Sequence, residues 1–308
     1  MDATELSFGI VILVQITTGV SVNVFLLLFY TRVVCTTHKP SNTDLILTQL
    51  ALANTIILLT SGIPEAMSAW GQRNFLDDVG CKILMYLCRV GRGLSICTTC
   101  LLSVYQAVTI SPGTSRWAGT KAKLPKCVLS LCVLSWVLNM LVDFNTLRYV
   151  TGPQNSSSVR MILDLKYCSK VILSAETTLV ITVMLSLWEL FFVGLMCSAS
   201  GYMVFVLHRH NRRVRYLHGP GHSPKETPEV KATKKVVVLA TLYVLLYGRQ
   251  TVMLSVLLNM KEKSPLLVNS HMVLSFTFSA FGPFLMIHSD KRIRTFWKRE
   301  SDFHMDPL

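Results

Sequence analysis

The chain has 308 residues, of which 51% are hydrophobic and only 15% charged, with a mean hydropathy of +0.47; soluble domains carry about a quarter charged residues. Thirty Lys and Arg against 17 Asp and Glu leave a formal net charge of +13. The basic residues fall in short clusters between apolar runs about one bilayer thick, which excludes a soluble enzyme and a nucleic-acid-binding protein. An all-α membrane protein is expected.

Seven apolar segments are long enough to span a bilayer, each of about 20 residues or more. The first covers residues 6–30, after an acidic start (Met1-Asp2-Ala3-Thr4-Glu5) where a cleavable signal would carry a basic region. The second covers 44–70 and holds Pro64 near its end. The third, 81–109, carries Arg89 and Arg92, and the fourth runs over 127–145. The fifth, 178–207, contains Glu189. The sixth, 236–260, is interrupted by Arg249-Gln250, and the seventh, 267–288, contains Gly282-Pro283. A basic tail follows over 289–308. All of it reads as one domain, 1–308.

Nineteen Lys and Arg fall in the first, third and fifth connecting segments and the tail, against eight in the alternate segments. The positive-inside rule therefore places the N-terminus outside and the tail inside. This topology puts the sequon Asn155-Ser156-Ser157 outside, as a glycosylation site requires. Of nine cysteines, Cys81 and Cys168 sit at the outer face, in the oxidising compartment. A bridge between them is favoured over two unpaired thiols; it would tie the long loop before the fifth span to the third span. The other seven suit small apolar filler roles inside helices. Cys97 and Cys100 have CxxC spacing but no second pair, so no metal site is expected.

A charge at the bilayer centre costs about 2.5–3.5 kcal/mol on insertion scales, so Arg89, Arg92, Glu189 and Arg249 need partners or a task. Arg89 and Arg92 share a helix face at i, i+3, roughly 12 to 17 Å inward from Cys81. Two readings stand. One is structural pairing, such as Glu189 with Arg249. The other is a cavity with three Arg and one Glu, whose surplus positive charge would favour an anionic apolar ligand, because guanidinium matches sulfate and carboxylate. Asp143 and Glu176 read as solvated rim residues, and Trp70, Trp136 and Trp188 as interface anchors or packing. No HExxH, no paired mid-membrane aspartates and no Gly-x-Ser-x-Gly nucleophile are present, so no enzymatic chemistry or cofactor is expected.

Several stretches read together: His38-Lys39-Pro40, Leu50-Ala51-Leu52-Ala53-Asn54, Gly62-Ile63-Pro64, the run from Arg89 to Ser103 (RVGRGLSICTTCLLS), Thr109-Ile110-Ser111-Pro112, Phe192-Val193-Gly194-Leu195-Met196 and Val206-Leu207-His208-Arg209-His210. Over nearly its whole length the chain resembles the vomeronasal type-1 receptors, pheromone-type G-protein-coupled receptors. Asn23, Asn54 and Trp136 occupy rhodopsin-like landmark places. Tyr105-Gln106-Ala107 stands where most such receptors carry Asp-Arg-Tyr, and Gly282-Pro283-Phe284-Leu285-Met286 replaces Asn-Pro-x-x-Tyr, as is common in this family. Arg249 and Ser279-Ala280-Phe281-Gly282 depart from the family pattern.

The resemblance implies a rhodopsin-like seven-transmembrane bundle in the plasma membrane. It implies a small apolar ligand, open to an anionic one, and signalling through a heterotrimeric G protein of the i/o class. Gln106, Arg209, Arg212, Arg213, Lys234 and Lys235 are then the candidate G-protein face, although the same basic ends also suit anionic membrane lipid. A receptor dimer, and an accessory or co-receptor role beside related receptors, remain alternatives. A transporter is disfavoured, since no repeat relates the two halves.

Overall fold

A computed structural model describes residues 3–36, 41–72, 75–112, 118–152, 161–164, 167–171, 175–218, 228–259, 270, 273–290 and 292–293. The helices in chain order are α1 (Ala3–Thr36), α2 (Asn42–Ile57), α3 (Ile63–Ala69), α4 (Asp78–Ile110), α5 (Ala118–Val142), α6 (Thr146–Tyr149), α7 (Ala175–His218), α8 (Pro228–Asn259) and α9 (Thr277–Ser289). Among the described residues, five helical stretches are long and apolar enough to cross a membrane: Leu6–Thr36, Asn42–Ala69, Asp78–Ile110, Gly119–Arg148 and Leu179–His210. A shorter apolar stretch, Val273–Ile287, falls within the seventh expected span. Helix α8 covers most of the sixth.

Local chemistry explains where these helices bend and stop. Between α2 and α3 the chain widens into a π-helical turn, Leu58–Gly62, just before Pro64. Proline supplies no N–H and its ring crowds the carbonyl four residues back; the wider turn absorbs both faults without ending the span. Helix α4 begins where the Asp77 carboxylate accepts the Gly80 N–H at 2.8 Å, a standard N-cap. It ends at Ser111, in extended conformation, followed by Pro112.

Helix α4 is the hub. Two thirds of its apolar window is buried, against 6% for the window of α7. It packs against α2, α5, α7 and α8. Hydrocarbon gives helices little hydrophobic reason to associate, so small residues and interhelical hydrogen bonds hold such bundles together. Gln49 Nε2 donates to Thr98 Oγ1 at 3.0 Å and to Ser135 Oγ at 2.8 Å, joining α2, α4 and α5. Asn23 Nδ2 donates to the Ser279 carbonyl at 2.9 Å, joining α1 to α9. Nearby, Gly19 lets the helices touch: a Cβ there would lie 3.0 Å from the Ala280 Cα.

One end of the bundle is capped by a three-stranded antiparallel sheet, where the sequence suggested only a loop. Strands β1 (Val150–Thr151), β2 (Met161–Asp164) and β3 (Ser169–Val171) are ordered β1-β3-β2, with Val150 opposite Lys170 and Asp164 opposite Ser169. The Cys81–Cys168 disulfide, with Cα atoms 5.7 Å apart, fastens β3 to the first turn of α4. Val150, Tyr167 and both half-cystines form a small buried cluster there, and burial raises the Tyr167 phenol pKa well above its ordinary range. Gly152 passes so close to α4 that its N–H reaches Asp78 Oδ1 at 3.1 Å.

At the opposite end Arg292 closes a second fastening. Its guanidinium donates to both oxygens of Asp44, at 3.0 and 2.5 Å, and to Asp290 at 2.7 Å. Asp44 is 2% exposed. These bonds, Asp44 first, raise the Arg292 pKa further above its already high value. The Tyr30 hydroxyl reaches Asp290 at 3.5 Å, so α1, α2 and the end of α9 meet at one polar knot.

Candidate functional site: a charged cavity inside the bundle

A cavity of about 200 Å³ opens between α4, α7, α8 and the segment leading into α9. Arg89, Arg92, Ser95, Glu189, Tyr243 and Ser275 are among its walls. A smaller chamber of about 50 Å³ adjoins it on the α5 side, lined by Asn139, Asp143, Trp188 and Phe192. Arg89, Arg92 and Glu189 face both chambers. They stand as a charged partition between the two.

Helix periodicity builds this arrangement. Arg89, Arg92 and Ile96 follow one another at i, i+3 and i+7 along α4, one stripe of a helix. Gly93, beside Arg92, leaves room for α5: a Cβ there would run into the Asn139 side chain. Tyr243 and Phe278 meet edge to face, with ring centroids 4.6 Å apart, and Trp188 meets Phe192 the same way at 5.0 Å. Such contacts fix ring positions and add about 0.5–1.5 kcal/mol each beyond burial.

The electrostatics differ from the sequence expectation in two places. Arg89 Nε donates to Asp143 Oδ1 at 2.7 Å, and the Asp143 side chain is only 6% exposed. Asp143 is therefore an internal counter-ion and not a solvated rim residue: the helix turns tightly at Asp143–Asn145 and carries the carboxylate inward onto α4. Arg249 is exposed and is absent from the cavity wall. At 100° per residue it lies roughly a quarter turn from the midpoint of the cavity-lining pair Tyr243 and Leu246, so α8 turns it out of the bundle. Glu176 is exposed, as expected.

A fifth charge went unread in the sequence. Glu65, directly after Pro64, and Glu189 both act electrostatically on Arg92. One Glu65 oxygen is fully buried with no hydrogen-bond partner. Glu65 enters α3 directly after the π-turn, a placement that hydropathy does not reveal.

The remaining sites sit elsewhere. Asn155 lies outside the described residues. Gln106 is half-buried near the C-terminal end of α4; Arg209 and Arg212 are exposed on the last turns of α7. Lys234 is exposed and Lys235 half-buried near the start of α8. Arg213 belongs to α7, but its side chain lies outside the described ones. These helix ends are remote from the disulfide, at the end where Arg292 binds Asp44.

A profile of the vomeronasal organ pheromone receptor family matches residues 6–299. The chain belongs to the vomeronasal type-1 receptor family. It is 37% identical to the human vomeronasal type-1 receptor 4 over 291 residues, covering 94% of this chain and 97% of that one. It is 37% identical to the human vomeronasal type-1 receptor 3 over 295 residues, covering 95% and 94%. A zebrafish (Danio rerio) relative, olfactory receptor class A-like protein 1, is 32% identical over 295 residues, covering 96% and 92%. This chain is thus a helical membrane receptor of the chemosensory, pheromone type.

Proposed function

We propose that this receptor binds a small molecule in the cavity between α4, α7, α8 and α9 and passes the signal to a heterotrimeric G protein of the i/o class. The observation that carries the reading is the cavity itself: charged groups gathered deep in a membrane bundle, beside an apolar wall. Ionisable residues inside a span are costly and mark function by default.

The reading is of seven spans in the plasma membrane, with the N-terminus and a glycan on Asn155 outside. Two features support that orientation. The disulfide lies at one end, where an oxidising compartment is needed, and the basic ends of α7 and α8 lie at the other. Ligand binding would shift a pre-existing equilibrium between closed and open bundles. Gln106, Arg209, Arg212, Arg213, Lys234 and Lys235 then form the surface that meets the G protein and anionic lipid.

The test is an i/o-class G-protein activation sensor in cells whose surface display of the receptor has been verified with an epitope inserted in the 153–160 segment. Dose-dependent activation by small apolar odorants, abolished by ADP-ribosylation of the i/o α-subunit, is the expected result. Display without activation by any odorant, reversed only when a related receptor is co-expressed, would replace this reading with an accessory role.

A further inference from the structure

The charges that line the cavity say which ligands it admits. Its positive groups are Arg89 and Arg92. Against them stand Asp143, bonded to Arg89 at 2.7 Å, and Glu189, on the wall of both chambers. Glu65 acts on Arg92 from the α3 side. Arg249, the third arginine of the sequence count, points away. Among the described residues, two guanidinium groups thus face at least two carboxylates, and no positive charge is left over. An anion entering here would add an unbalanced charge to a low-dielectric space, an expensive step unless a partner neutralises it.

One polar group in the described walls does lack a partner. Trp188 lines the smaller chamber, and its indole Nε1 is buried with no hydrogen-bond acceptor. An indole N–H can only donate, and a buried donor left unsatisfied is costly. A ligand oxygen placed there would accept from it. The larger chamber, at about 200 Å³, is below the roughly 300–1,000 Å³ usual for ligand pockets. A compact skeleton fits the larger chamber, and its oxygen meets Trp188 in the smaller one only by passing the border of Arg89, Arg92 and Glu189 that the two chambers share.

We infer that the cavity selects an uncharged, compact apolar molecule carrying a hydrogen-bond-accepting oxygen, received by Trp188, and excludes anions of the same skeleton. This rests on the cavity being the ligand site. A matched panel tests it: bornane, menthane and decalin skeletons, each as alcohol, sulfate ester and primary amine, added to the purified full-length receptor in nanodiscs with thermal unfolding as readout. Stabilisation by at least one alcohol, with its sulfate and amine at least roughly tenfold weaker, is expected. Stabilisation by a sulfate or an amine at equal or lower concentration, or by no alcohol on any skeleton, overturns the inference.

Two variants sharpen it. Asp143→Asn frees Arg89, and Glu189→Gln removes one of the two carboxylates that act on Arg92; either that folds should bind the sulfates roughly tenfold or more tightly than the parent receptor does, because one unit of charge at this range is worth at least that much. No gain in either variant counts against the charge-balance argument. The proposed function fails separately: alcohols that stabilise the nanodisc receptor yet never activate the G-protein sensor would sink the signalling reading and leave this inference standing.

Discussion

Asp143 and Arg89 illustrate how much one pairing decides. Burying an ion is tolerable only while its partner is present, and removing one partner typically costs about 3–5 kcal/mol. Arg89→Met should therefore lower receptor stability by about 3 kcal/mol, because Asp143 would be left buried and alone. The double variant Arg89→Met/Asp143→Leu should recover most of that loss, since an apolar pair of similar volume needs no counter-ion. Thermal unfolding of the purified variants measures both, and a double variant as unstable as the single one contradicts the pairing. The sequence placed Arg89 and Arg92 on one helix face, and both line the cavity, but it assigned Asp143 to the solvated rim. Depth follows from counting residues along a span, whereas the direction of a side chain depends on a turn at the helix end. The same limit applied to Arg249, whose place along α8 was legible and whose outward direction was not.

At the scale of elements, the helices are held by close approaches and by polar ties at their ends. Gly19 sits where α1 crosses α9 and the π-turn, and a Cβ there would come within 2.9 Å of Leu58 and 3.0 Å of the Ala280 backbone. Backbone cannot swing aside as a side chain can, so Gly19→Val should cost about 1–3 kcal/mol, seen as a lower unfolding temperature and reduced surface display. Unchanged stability would mean that α1 packs differently. At the other end, the fork of Arg292 holds Asp44 through two parallel bonds, a geometry that lysine cannot reproduce. Arg292→Lys should keep the charge yet recover less than half of the stability lost in Arg292→Ala, by the same unfolding measurement; full recovery would reduce the contact to simple attraction. Five of the expected spans stand as long apolar helices among the described residues and were legible because about 20 consecutive apolar residues have few other uses. The disulfide was legible for a related reason, since topology left two cysteines at one face. The sheet over 150–171 was not: its strands are two to four residues long and lack a period to read. Nor was the Arg292–Asp44 contact, which joins residues 248 apart in sequence.

For the whole molecule, the excess of positive charge lies away from the cavity and does not set ligand preference in the proposed function. The +13 of the chain is gathered largely in the segments between apolar helices, where in the proposed function it meets lipid headgroups and a G protein. Among the described residues the cavity lining is balanced, Arg89 and Arg92 against Asp143 and Glu189, with Glu65 acting on Arg92 from the α3 side. Family membership shows a chemosensory receptor, and in the proposed function its ligand acts in the cavity. The most direct test of that account compares two arginines of similar chemistry and different placement. Arg92→Ala and Arg249→Ala are brought to equal surface display, and G-protein activation is recorded against the concentration of an alcohol that activates the parent receptor. A response lost or weakened at least roughly tenfold is expected in Arg92→Ala, and a curve that overlays the parent in Arg249→Ala. A response carried by Arg249 and indifferent to Arg92 would contradict it.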